Sequence, residues 1–179
     1  MLPGCRYIYA SDNQAFPYGT KEEDEVVARV SRVLQSLMGR YAPTLLVVAC
    51  NTASAAALHY LRECFPSVPF VGMEPAVKPA AETTRSGVVG VLATPATFQG
   101  ELYASVVERF AQGVTVLQAT CPGLVAQIEA GELETPATLQ ILEQAIGPML
   151  ARGVDTLVMG CTHYPFVIPA IQQIAGPSV

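Results

Sequence analysis

Charge is scarce in this chain: only 14% of its 179 residues are Asp, Glu, Lys or Arg, where an average soluble domain carries roughly a quarter. Much of the sequence must therefore form buried strand and helix faces. The ten basic residues are scattered singly, whereas a nucleic-acid groove needs clustered Lys and Arg, so nucleic acid is not expected as a partner. Long apolar runs are missing too. Leu45–Ala49 and Val88–Ala93 are of strand length, far short of the roughly 20 residues that span a bilayer, and no membrane partner is expected. The opening Met-Leu-Pro-Gly-Cys-Arg has neither the basic region nor the apolar stretch of a signal peptide, so the cytoplasm is the expected location. Lysine occurs only at positions 21 and 78, neither in a phosphate-binding context suited to a pyridoxal-phosphate Schiff base. No G-x-G-x-x-G follows any apolar run, which leaves a dinucleotide site unsupported. No cofactor is expected.

What the chain does contain is an alternation of strand-like and helical stretches. Tyr7–Ala10 reads as a strand and Glu22 to Met38 as an amphipathic helix, with Val26, Val27, Val30, Val33, Leu34 and Leu37 at three-to-four spacing. Strands are expected at Leu45–Ala49, Phe70–Gly72, Val88–Ala93, Val114–Ala119 and Thr156–Met159. Helices are expected over Ala53–Cys64, Pro75–Thr84, Phe98–Phe110, Gly123–Ala130 and Pro165–Ile174. A further helix opens at Pro136 under a Thr135 cap and runs to about Ala151, where Gly153 ends it. Continuous apolar strands alternating with helices indicate an α/β fold with parallel sheet covered on both faces.

An internal echo supports two similar lobes, residues 1–86 and 87–179. Pro43-Thr-Leu-Leu-Val-Val-Ala-Cys50-Asn-Thr52 parallels Val154-Asp-Thr-Leu-Val-Met-Gly-Cys161-Thr-His163. Each segment ends a strand in a cysteine followed by polar residues. Ligands of open α/β sheets bind beyond the carboxyl ends of the strands, which is where both thiols fall. A helix start beside each is expected to lower its pKa and favour thiolate. Two thiols facing across a cleft between the lobes would suit inversion of a carbon centre, one acting as base and the other as acid on the opposite face. The remaining cysteines, Cys5, Cys64 and Cys121, read as small buried hydrophobes in a reducing compartment. A zinc site from Cys50, Cys161 and His163 is the metal alternative, although it lacks the close paired ligand spacing of zinc motifs.

At these residues the chain resembles the glutamate racemases of the aspartate/glutamate racemase superfamily. The landmarks are Phe16-Pro-Tyr-Gly19, Val48-Ala-Cys-Asn-Thr-Ala53, Gly72-Met-Glu-Pro-Ala-Val-Lys-Pro79, Ala93-Thr-Pro-Ala-Thr97, Cys121-Pro-Gly-Leu-Val125 and Gly160-Cys-Thr-His-Tyr-Pro165. The resemblance implies interconversion of L- and D-glutamate without metal or cofactor, supplying D-glutamate for peptidoglycan. It implies Cys50 as the base toward D-glutamate and Cys161 as the base toward L-glutamate, with His163 and Glu129 as auxiliary groups near the second thiol. Pro17, Tyr18 and Gly19 match the substrate loop, while Asn51, Thr52, Thr94, Thr97 and Thr162 match substrate-binding positions. The expected partners are glutamate and, at most, a second copy of the chain in a homodimer.

The match has two departures, one at each end. The family's opening strand, ending in Asp-Ser-Gly, has no counterpart here, and Asp12 belongs to a different position, in the loop before Phe16. A segment that returns to the first lobe after the Cys-Thr-His-Tyr-Pro helix is missing as well. The expectation is a racemase lacking both ends, with an incomplete first lobe and weak or no activity. Aspartate racemase is the neighbouring alternative and a catalytically silent remnant the alternative of another class.

Overall fold

The computed structural model describes residues 4–179 and contains two parallel sheets, each beneath its own helices. The long helix α1 (Glu23–Tyr41) opens on Glu23, Asp24 and Glu25 and carries Arg40 in its last turn, charges that complement the helix dipole. Its buried stripe of Val26, Val30 and Leu34 packs beside α2 (Asn51–Cys64), over strands β1 (Leu46–Val47) and β2 (Phe70–Val71). These strands pair in parallel, Leu46 opposite Phe70. Among the described residues only one face of this sheet is covered: Val47 and Val71 remain 57% and 47% exposed.

The second sheet has three parallel strands. Strand β3 (Val88–Leu92) lies centrally between β4 (Thr115–Ala119) and β5 (Thr156–Met159). Both its faces are covered, which explains its unbroken Val-Val-Gly-Val-Leu sequence. On one face α6 (Leu124–Glu129), α7 (Pro136–Leu150) and α8 (Ile168–Ala175) enclose Leu92, Leu124, Leu142 and Ile146. On the other, α3 (Val77–Thr83) and α5 (Glu101–Phe110) bury Val89, Val91, Tyr103 and Val158. Thus α3 joins the second core, although it precedes residue 87. The short α4 (Pro95–Gln99) sits between the two packing units, against α2. No described helix is long and apolar enough to cross a membrane.

Several elements differ from their sequence reading for local reasons. Tyr7–Ala10 joins no sheet ladder and is exposed, Tyr9 by 90%; a strand requires a paired neighbour, which periodicity alone does not supply. The helix expected over Phe98–Phe110 is two helices, because Gly100 is extended (φ −72°, ψ 140°) where its backbone crosses α2. A methyl on Gly100 would lie 2.7 Å from the Ala55 Cβ, so the break and the close helix approach share one cause. Helix α2 begins earlier than expected, at Asn51, because Cys50 itself is its N-cap. The last helix is preceded by a 3-10 turn over Tyr164–Val167. Of the three cysteines read as buried, Cys121 is buried while Cys5 and Cys64 are exposed.

One polar staple fixes the base of the second sheet. Asp155, just before β5, accepts hydrogen bonds from the Thr84 hydroxyl (2.6 Å), the Arg85 and Ser86 amides (2.7 Å each) and the Thr156 hydroxyl (3.0 Å). These donors, the Thr84 hydroxyl foremost, hold its carboxyl well below the usual carboxylate range. A depressed folded pKa stabilises above the unfolded value, near 4, and that stability drains away as pH falls through the folded value. Asp155→Asn is therefore expected to lower the melting temperature at pH 7, with the gap to the parent narrowing below about pH 4. A constant gap across that range in thermal melts would contradict the staple.

Candidate active site

Both thiols stand at the carboxyl ends of parallel strands, one from each sheet. Cys50 follows β1, and its Sγ accepts the Ala53 amide at 3.5 Å as the cap of α2. Ser54, one turn on, donates to the Val48 carbonyl (3.0 Å) and accepts the Met73 amide (2.9 Å), so the chain entering and leaving the Cys50 tip is tied to one hydroxyl. Asn51 and Thr52, at 5% and 3% exposure, are the first residues of the helix. The Asn51 Oδ1 is buried with no hydrogen-bond partner. An orphaned buried acceptor costs about 1–3 kcal/mol, and a bound donor would recover it.

Cys161 follows β5 of the second sheet. The Thr162 hydroxyl reaches back to the Ala49 carbonyl at 3.5 Å, joining the two strand tips. The thiol is nearly buried, at 9% exposure, and burial pushes its pKa up; the amides of His163 and Tyr164 oppose the shift, and Cys50 adds to it. This corrects the expectation of a lowered value at this tip. The residues after Cys161 form a turn and a 3-10 segment, not an α-helix start, and desolvation outweighs their dipoles. His163 Nδ1 lies 3.9 Å from the Cys161 Sγ, and its Nε2 lies 2.6 Å from Glu129 Oε1, at the end of α6. Thiol, imidazole and carboxylate thus form a chain from the buried Cys161 to the surface. A depression of about 410 Å³ lies outside this chain, walled by Glu129, Thr162, His163 and Phe166 but not by Cys50.

Three hydroxyls cluster where α2 meets α4. Thr52 Oγ1 lies 2.9 Å from Thr94 Oγ1 and 3.5 Å from Thr97 Oγ1, and Thr94 and Thr97 are 3.0 Å apart. Thr94 also caps α4 through the Thr97 amide. Pro17 leads into the 3-10 turn Tyr18–Thr20, which sets Gly19 so near Thr94 that a methyl there would fall 2.5 Å from its Cγ2. The Phe16 ring lies 5.8 Å from that of His163. The Tyr18 hydroxyl donates to Asp12 Oδ2 at 2.9 Å, and burial foremost, with Asp12 next, pushes the phenol up and keeps it neutral. Sequence reasoning left Asp12 and Ser54 without a part, since their partners lie six or more positions away with no motif to mark them. Among the described residues no three His, Cys, Asp or Glu side chains are grouped to hold a metal ion.

The α/β chain thus carries a thiol at a strand tip of each of its two sheets, with hydroxyls and a buried amide close by. The Asp/Glu/Hydantoin racemase family model matches residues 1–179, and the chain belongs to that family. It is 53% identical over 176 residues to the glutamate racemase of Roseiflexus sp. strain RS-1, covering 98% of this chain and 64% of that protein. In structure it is similar to Escherichia coli glutamate racemase, crystallised with L-glutamate and the activator UDP-MurNAc-Ala, at a TM-score of 0.85 and 39% identity over 98% of this chain and 66% of that one. Francisella tularensis glutamate racemase in complex with D-glutamate is also similar, at a TM-score of 0.75 and 26% identity, covering 90% of this chain and 60% of that one. The chain thus spans about two thirds of the length of the relatives it matches.

Proposed function

We propose that this chain interconverts L- and D-glutamate by proton transfer between Cys50 and Cys161. The observation that supports the reading is that the thiols follow strands of separate sheets whose tips are joined by the Thr162–Ala49 hydrogen bond. In the D-to-L direction the Cys50 thiolate removes the α-proton, and the Cys161 thiol protonates the opposite face of the resulting planar carbanion. In the reverse direction Cys161 must first lose its own proton. His163 Nδ1 is the acceptor in reach, and the imidazolium so formed is stabilised by Glu129. Asn51 Oδ1 and the Thr52, Thr94, Thr97 and Thr162 hydroxyls are assigned to the substrate's ammonium and carboxylates, and the turn from Pro17 to Gly19 to the mouth of the cleft. The two lobes are the two halves of that cleft. The product D-glutamate would serve peptidoglycan synthesis in the cytoplasm.

The direct test is L-glutamate in deuterated buffer. Loss of optical rotation with deuterium uptake at the α-carbon is expected, unchanged by exhaustive EDTA because the thiols do the chemistry. Absence of both signals, or rescue of activity by zinc after chelation, would refute the reading; faster turnover of L-aspartate would move it to the neighbouring substrate.

The raised Cys161 pKa has a consequence for pH. Turnover needs one thiol charged and one neutral, so the rate falls on the alkaline side when the second proton is lost. Enantiomers are equal in energy, so kcat/KM is the same in both directions at every pH. A single bell-shaped curve is expected for both, its alkaline limb above the ordinary thiol range. His163→Ala is expected to lower kcat by about 100-fold, the lower end of what a positioned acid–base group contributes. Steady-state kinetics across pH with each enantiomer would check both points; an alkaline limb at or below the ordinary thiol range would contradict the assignment.

A further inference from the structure

We infer that Phe16 is a positioning residue for the second thiol, its ring holding the His163 imidazole in line between Cys161 and Glu129; the inference rests on the two-thiol reading above and names a residue to which that reading gives no part. The polar contacts of the imidazole hold it loosely. Its Nδ1 lies 3.9 Å from the Cys161 Sγ, a long contact even for sulfur, and its Nε2 meets a Glu129 side chain that is itself 55% exposed. The ring torsion of histidine is broad and roughly two-fold, so rotamer preference does not fix which edge faces the thiol. The third contact is the Phe16 ring, 5.8 Å away between centroids and tilted by 50°, within the range of favourable aromatic pairs. An aromatic neighbour in that position limits how far the imidazole can turn, and it leaves both ring nitrogens free to bond.

Phe16 can serve in this way because the backbone on either side of it is pinned. Before it, the Ala15 amide donates to the Asp12 carbonyl at 3.2 Å, and Ala15 is 3% exposed. After it, the Lys21 amide donates to the Tyr18 carbonyl at 3.0 Å, and Gly19 lies against Thr94 with no room for a methyl. The Tyr18 hydroxyl, bonded to Asp12 at 2.9 Å, clasps the two flanking 3-10 turns together. Phe16 stands between those turns in extended conformation (φ −64°, ψ 141°). Core packing does not account for its ring, which is 42% exposed and belongs to none of the three clusters of buried side chains. What the ring does meet is the imidazole beside Cys161.

Two substitutions separate the ring from its bulk. Phe16→Leu keeps an apolar side chain and removes the ring, and Phe16→Tyr restores the ring with a hydroxyl that solvent can reach. Phe16→Leu is expected to lower kcat about tenfold, a part of what the acid–base group itself contributes, with KM changed by less than about twofold. Phe16→Tyr is expected to recover most of the rate, and Phe16→Leu to add nothing in a His163→Ala background, since residues acting as one unit are not additive. A loss confined to KM, or an equal loss in both backgrounds, overturns the inference. Thiol reactivity gives a readout independent of turnover, because the thiolate is the species that alkylates. In a Cys5→Ser, Cys64→Ser background, iodoacetamide labelling of Cys161 is followed by peptide mass spectrometry. It is expected to slow severalfold in Phe16→Leu and in His163→Ala, and no further in the double variant, while Cys50 labels at the parent rate. Unchanged or faster labelling of Cys161 in Phe16→Leu overturns the inference, as does equal slowing at Cys50, which would mark a general disturbance of the turn. If the parent neither exchanges nor inverts the α-proton, the racemase reading fails, and the labelling comparison alone decides the part of Phe16.

Discussion

Replacing either strand-tip cysteine by serine is expected to abolish racemisation, with losses on the order of a thousandfold or more in both directions. A serine hydroxyl is nearly isosteric with the thiol but far too weak an acid to exist as its anion near neutral pH, and positioned acid–base groups contribute up to about 10⁴-fold. Because each thiol serves one face of the α-carbon, the loss at Cys50 is not made good by Cys161, nor the reverse. The other cysteines provide the control. Cys64 is exposed, and Cys64→Ser is expected to leave both stability and rate nearly unchanged. Cys121 is buried, and burial pushes its thiol up to about 11 despite a hydrogen bond from Tyr164, so it stays an inert thiol and its replacement acts on packing. Polarimetry and α-proton exchange on the four single variants would check this, and appreciable inversion by either strand-tip variant would refute a two-base mechanism.

Tyr164→Ala is expected to produce the largest loss of stability, about 3–5 kcal/mol, the range for emptying a large aromatic site in a core. Tyr164 is 1% exposed, lies in the core under α6, α7 and α8, and begins the 3-10 turn after the Cys161 tip. Its amide donates to the Cys161 carbonyl at 3.1 Å. Against a total stability of roughly 5–15 kcal/mol for a domain, that is a large fraction. Burial foremost pushes the phenol well above its usual range, so it carries no charge that would matter to the chemistry. Tyr164→Phe is accordingly expected to keep most of the stability, losing about 1 kcal/mol with the hydroxyl's hydrogen bond. Denaturant titration of the two variants separates packing from hydrogen bonding; equal losses would show that the ring's volume is not what the core requires.

Elements whose stability comes from their own pattern are legible in the sequence. The stripe Val26, Val30, Leu34 announces α1, and Thr135-Pro136 announces the start of α7, where the Thr135 hydroxyl accepts the Thr138 amide at 3.4 Å. The strand tips carrying Cys50 and Cys161 were legible because apolar runs stop abruptly at polar residues. What was hidden is whatever depends on distant partners. Tyr7–Ala10 is an apolar run like a strand yet joins no ladder, and Gly100 breaks a helix because Ala55 lies beneath it. Asp155 meets residues 84–86 across about seventy positions, and Ser54 meets Met73 across nineteen. The direction of the Cys161 shift was missed for a similar reason. A dipole argument can be made from local order alone, whereas desolvation depends on what the rest of the chain piles on top.

The attachment of α3 to the second core also tells where this polypeptide could be divided into two pieces that recombine. A break in residues 84–87 would part α3 from the strands it covers and cut through the loop that Asp155 gathers. A break between Val71 and Val77 would leave α1, α2, β1 and β2 on one fragment and every helix of the three-stranded sheet on the other. Each fragment would then carry one thiol with its own neighbours. Reassembly of the two halves would report on the contact between α2 and α4, and mixing halves that bear different substitutions would let either face of the reaction be altered alone.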